Sequence, residues 1–185
     1  MNLSVPLRLL LTLLAALGLA GVAVAGHQEP AGDTAVKADF LPKFPRYVEW
    51  PAQARPADGV PYQLCVVGTD PFGDRLDRSA ASELIGRHAV TVRRIADSAE
   101  AEGCHIAYVH GVTAEDTDRL LAAIGPRAIL TVTDTGAGTQ RGMIHFARQN
   151  GRIRFFIDDA AAAARGLTIS SRLLALAIGV RQRRS

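Results

Sequence analysis

An apolar run covers residues 9–25, preceded by Arg8 and ending in Ala23-Val24-Ala25 ahead of Gly26-His27-Gln28. A positive start, an apolar core and small residues at the minus-three and minus-one positions make a secretory signal. The alternative is an uncleaved anchor, although the 17 residues of the run fall short of the roughly 20 that a spanning helix needs. Beyond it the pattern changes period. Residues 62–67, 89–95, 104–110 and 128–133 are short runs rich in apolar and β-branched side chains and read as strands. The last is apolar on both faces, as in a sheet covered on both sides. Asp70 as cap and Pro71 at the first helical position predict a helix over 72–84. A short turn follows over 98–102. Thr113 caps a helix through Leu120, Leu121 and Ile124, which Gly125-Pro126 stops.

Upstream, residues 26–33 form a polar leader, and Asp33 or Thr34 caps a helix through Ala35, Val36 and Phe40. Pro42 and Pro45 disturb this helix, because each lacks an N–H and crowds the preceding turn. Phe40, Phe44, Tyr47 and Trp50 still share one helical face suited to core packing, and residues 51–61 read as a loop. Downstream, residues 142–147 and 152–157 are β-like and flank Asn150-Gly151, a strong hairpin signal. Helices are predicted over 158–165 and, capped by Ser170 or Ser171, over 173–180. The whole reads as one α/β domain: a sandwich whose largely parallel sheet is flanked by helices and followed by a late antiparallel hairpin. The expected organisation is a signal at 1–25, a mobile leader at 26–33, the domain at 34–180 and a basic tail at 181–185.

Removing the signal leaves about 160 residues, which suits one buried core. It also removes Arg8, leaving 20 basic and 18 acidic residues. That near-neutral balance argues against nucleic acid as a partner, and the arginines of the tail read as a solvated terminus. No cysteine stands near the cleavage junction, which argues against a lipoprotein. Cys65 and Cys104 are the two cysteines. Export favours a bridge between them over two free buried thiols.

Candidate chemistry is sparse. Gly68-Thr69-Asp70-Pro71-Phe72-Gly73 joins a strand to a helix but lacks both phosphate-binding glycine patterns. Cys104 and His105 are neighbours on a strand and point to opposite faces, so they make no nucleophile–base pair. His88, His105, His110 and His145 are scattered without metal-ligand spacing. Ser170-Ser171-Arg172 lacks a Ser-x-x-Lys pattern, and Asp134, Asp158 and Asp159 fall at turns or helix starts. No catalytic residue, cofactor or metal is expected.

Three stretches together resemble the YfiR family of bacterial periplasmic proteins. The first ends in Tyr47-Val48-Glu49-Trp50-Pro51. The second runs from Leu64-Cys65-Val66-Val67-Gly68 through Asp70-Pro71-Phe72-Gly73 to Gly103-Cys104-His105-Ile106. The third runs from Gly142-Met143-Ile144 to Gly166-Leu167-Thr168-Ile169-Ser170-Ser171-Arg172-Leu173-Leu174. They occur in the family's order over nearly the whole exported chain. The resemblance implies a periplasmic, non-enzymatic inhibitor that restrains an inner-membrane diguanylate cyclase through the cyclase's periplasmic part and so lowers cyclic di-GMP. It implies an OmpA-like outer-membrane lipoprotein that sequesters the inhibitor, with biofilm formation downstream. Cys65 and Cys104 match a family disulfide, whereas a second pair present in some members is missing, since residues 139–151 contain no cysteine. A homodimer is compatible with this reading. Phe44, Tyr47, Trp50 and Arg172 are the expected partner contacts, with core packing of the aromatics and a solvated Arg172 as the alternative. Two other functions stand beside inhibition: a periplasmic small-molecule sensor, and a periplasmic hydrolase with a dispersed site. Neighbouring genes for a cyclase and an OmpA-like lipoprotein would favour inhibition, and a sensor kinase or transporter would favour sensing.

Overall fold

Strand after strand in the middle of the chain alternates its side chains between two apolar layers, and this alternation builds the domain. The computed structural model describes residues 31–183. The signal, its cleavage junction, most of the leader and the last two residues of the tail lie outside the described residues. The chain enters as helix α1 (Ala31–Phe40) and tightens into a 3-10 helix over Leu41–Tyr47. Pro42 and Pro45 sit in that tighter segment, where their missing donors disturb the α-helical ladder as expected. The helix starts ahead of Asp33 and Thr34, so neither is its cap, and residues 31–33 are helical rather than part of a leader. Next come β1 (Val48–Glu49) and β2 (Tyr62–Gly68), joined by a loop with one short 3-10 turn.

The remaining elements are α2 (Asp74–Ala81), β3 (Leu84–Ile85), β4 (His88–Ile95), β5 (Ile106–His110), α3 (Ala114–Ile124), β6 (Leu130–Thr133), β7 (Ile144–Gln149), β8 (Arg152–Asp158), α4 (Asp159–Ala164), β9 (Thr168–Ile169), α5 (Ser171–Leu174) and β10 (Gly179–Arg181). One eight-stranded sheet has the order β10-β8-β7-β6-β5-β2-β4-β3. Strands β4, β2, β5, β6 and β7 run parallel, β8 is antiparallel to β7, and β10 is parallel to β8. The β7–β8 hairpin turns at Asn150 (φ 50°) and Gly151 (φ 74°), both in the left-handed region that a tight two-residue hairpin demands. A separate antiparallel pair joins β1 to β9.

Each central strand serves both layers. Leu64 and Val66, Ile106 and Tyr108, and Leu130 and Val132 join the larger core under α1, α2, α4 and α5. Their neighbours Cys65, Val67, Ala107 and Val109 join a smaller core with Leu121 and Ile124 of α3. Thr113 caps α3 as expected, its hydroxyl accepting from the Asp116 N–H at 3.0 Å.

Three local expectations are corrected. Asp70 accepts from the Phe72 N–H at 2.7 Å, yet α2 begins only at Asp74, because Gly73 takes φ 52° and ψ −147° and breaks the ladder. Leu84 and Ile85 leave that helix to pair with β4. Cys104 and His105 precede β5 rather than belonging to it. At the C-terminal end α5 is a single turn capped by the Ser170 hydroxyl, and Gly179–Arg181 forms strand β10 beside β8. A short apolar run fits either state. Here Gly179 decides, since a Cβ at that position would meet the Phe156 ring at 3.0 Å. The described part of the tail is therefore held: Arg181 pairs with Asp158, and the Arg183 guanidinium donates to buried Asp159 at 2.7 and 2.9 Å.

Candidate regulatory surface

The first and last of the sequence stretches meet in space. Val48 pairs with Ile169 and Glu49 with Thr168, while the Ser170 N–H donates to the Tyr47 carbonyl at 2.8 Å. Pro51 packs on Gly166, within 3.5–3.9 Å of where a Cβ would stand. This junction sets Tyr47 and Arg172 on neighbouring backbone. Tyr47 is half-buried and Arg172 exposed at the start of α5. Phe44 and Trp50 are not surface contacts: they are 1% and 2% exposed. Phe44 lies 6.0 Å from the rings of both Phe146 and Phe155, and Trp50 lies 5.3 Å from Tyr62. Burial of such rings contributes more inside than at a wet rim. The partner-contact expectation is thus corrected for Phe44 and Trp50, which belong to the core.

A buried polar knot pins α1, and with it the segment that carries Tyr47. Lys37 Nζ donates to Asp134 Oδ2 at 2.6 Å, the Tyr108 hydroxyl donates to the same oxygen at 2.5 Å, and the Gly136 N–H donates to Oδ1 at 2.9 Å. His110 Nδ1 stands 3.6 Å from Oδ1, beyond hydrogen-bond range. Burial works to raise the Asp134 carboxyl, but the facing His110, the Lys37 ammonium and the Tyr108 hydroxyl outweigh it and hold the group well below the usual carboxylate range. Sequence reasoning placed Asp134 at a turn and gave Lys37 no role. The available signal was a carboxylate directly after Leu130–Thr133, four residues buried without a break. A second buried group, His145, faces Thr133 with Nδ1 3.0 Å from its hydroxyl. Burial and then the Arg141 charge push its imidazole down to about 4.

On the other side of the sheet Cys65 and Cys104 form a disulfide with Cα atoms 5.9 Å apart. Arg93 braces the bridge loop, donating to the Glu100 and Glu102 carbonyls at 2.9 and 2.7 Å. His105 turns away from Cys104. Its Nδ1 accepts from the Gln63 N–H at 3.0 Å, its ring packs on Tyr62 and Trp50, and burial, then the His88 charge, lower its affinity for a proton. Beside the bridge, at the amino ends of β2, β5 and β6, lies a cleft of about 690 Å³ lined in part by Arg55, His105 and Arg127. Among the described residues no three His, Cys, Asp or Glu side chains converge as a metal site would require.

The YfiR/HmsC-like family model matches residues 34–178, a span holding the β1–β9 junction, the polar knot and the disulfide. The chain belongs to the YfiR/HmsC-like family. No curated protein matches it. Membership in the YfiR/HmsC-like family supports a periplasmic, non-catalytic regulatory role in general. Among the described residues no helix is long and apolar enough to cross a membrane.

Proposed function

We propose that this protein restrains the periplasmic part of an inner-membrane diguanylate cyclase, lowering cyclic di-GMP output, and that an OmpA-like outer-membrane lipoprotein relieves the restraint by binding it. The observation that carries the reading is the β1–β9 junction, where two stretches more than a hundred residues apart in sequence build one surface bearing Tyr47 and Arg172. Inhibition of this kind needs only tighter binding to one cyclase conformation than to the other. A half-buried tyrosine beside an exposed arginine combines apolar area with directed donors, which suits an interface anchor. Purified protein should bind the cyclase's periplasmic part, and Tyr47→Ala with Arg172→Ala should weaken that binding at least tenfold while the thermal transition stays within a few degrees. Unchanged binding by the folded double variant would reject these contacts. A second reading, a periplasmic small-molecule sensor, rests on the cleft beside the disulfide, where Arg55, Arg127 and His105 offer polar groups to a compact ligand.

A further inference from the structure

Charge is divided unevenly along this chain. After residue 140 there are nine arginines against only Asp158 and Asp159, whereas the first 140 residues hold 12 basic and 16 acidic side chains. The fold gathers part of this excess on one side of β8. Ile153, Phe155 and Ile157 point into the larger core, so Arg152, Arg154, Phe156 and Asp158 share the opposite side. Cross-strand register adds His145 of β7 and Arg181 of β10 to that side. This is the sheet face that α3 covers over β2 and β5, but over β8 it stays open, with Arg152, Arg154 and Phe156 exposed.

The open part is concave. A groove of about 370 Å³ runs between β7, β8 and β10, lined by Arg141, His145, Phe156, Asp158, Val180 and Arg181 among others. The Arg141 guanidinium lies 5.7 Å from the centre of the Phe156 ring. Arg181 takes up Asp158, the carboxylate of the groove. Arg154 donates to the Leu176 carbonyl, and among the described residues Arg141, Arg152 and Arg154 have no carboxylate partner.

We propose that this groove and the adjoining face of β8 bind an acidic, extended segment of a partner protein, with carboxylates on Arg141 in the groove and on Arg152 and Arg154 beside it, and an apolar side chain on Phe156. Guanidinium forks match carboxylates in a bidentate way, and an exposed ring among them supplies the apolar contact that ions alone lack. Among the described residues strand β10 is the outer strand of the sheet, so its outer edge offers backbone groups to an extended chain. A second copy of this chain is a poor occupant, since a two-fold contact would set the same arginines against each other. The inference does not rest on the cyclase reading, because it concerns a face built from other residues.

The test uses the exported full chain and a fluorescein-labelled octapeptide alternating glutamate with phenylalanine, with a glutamine-for-glutamate peptide as control. Fluorescence anisotropy should show the acidic peptide binding at least tenfold more tightly than the control and weakening as salt rises. Arg141→Gln with Arg154→Gln should reduce that affinity at least tenfold, as should Phe156→Ser alone, with circular dichroism melts close to wild type. Tyr47→Ala with Arg172→Ala should leave it unchanged. Equal binding of the two peptides, or full binding by the folded arginine variant, would overturn the proposal. So would phosphatidylglycerol vesicles that displace the peptide and bind more tightly than it does, since the face would then be one for anionic lipid.

Discussion

The two ends of the central sheet meet opposite fates on the same face. Around β2 and β5 that face carries Cys65, Val67, Ala107 and Val109, lies under α3, and is tied by the Cys65–Cys104 bridge. Toward β7, β8 and β10 it passes through Thr131 and Thr133 to arginines around Phe156, and among the described residues no helix is packed over Arg152, Arg154 and Phe156, which stay exposed. The difference shows how one sheet divides its work. Where alternate residues are small and apolar, a helix covers them and the strands supply stability. Where they are arginines, desolvating several like charges under a helix would cost more than the apolar contact returns, and the face is left for a partner that brings the opposite charge.

The strongest test of this division is at the join between the two ends. Asp134→Ala should destabilise the protein by about 3–5 kcal/mol, because Lys37 loses the carboxylate that compensates its buried charge. Urea unfolding followed by circular dichroism measures this. Lys37→Met added to Asp134→Ala should recover part of the loss, and a fully additive double variant would separate the two residues. At the covered end, Cys65→Ser should cost about 2–4 kcal/mol, since the bridge closes a loop of about 40 residues in the unfolded chain. The same measurement under reducing conditions should bring wild type close to that variant.

His145 gives a pH-dependent test. Its imidazole is held near 4 in the fold, below its ordinary value near 6.5, so between those limits the unfolded chain binds the additional proton. Stability should therefore be complete with respect to this group above about pH 6.5 and fall by about 3 kcal/mol as pH drops toward 4. His145→Gln should flatten this part of the profile. A wild-type stability that rose on acidification through this window would contradict the assignment. The smallest effect belongs to the open end: Arg154→Gln should change stability by less than about 0.5 kcal/mol. A large loss there would mean that the arginines hold the sheet together, and the contrast between the two ends would fail.

Much of this division was legible in the sequence. The alternation of short apolar runs with capped helices gave the parallel sheet, and Asn150-Gly151 gave the hairpin, because both signals are local. Two lone cysteines, with the export that the apolar start leads one to expect, pointed to the bridge. What sequence could not show was set by distance. Lys37 and Asp134 are 97 residues apart, so the sequence offers Asp134 only as a turn residue and nothing that singles out Lys37. Leu173 to Val180 looked helical, but β8 offered an unpaired edge and Gly179 fitted against Phe156. At the candidate regulatory surface the aromatic stretch was found but not its inward and outward members. Phe44 and Trp50 face the core, and only the β1–β9 pairing brings Tyr47 to Arg172.

The regulatory account stands most directly on cyclic di-GMP itself. The nucleotide should be measured by mass spectrometry in cells lacking the gene, and again with the exported protein restored, in a strain whose cyclase is present. The account predicts a rise on deletion and a return to the parental level on restoration. Levels unchanged in both strains would contradict it.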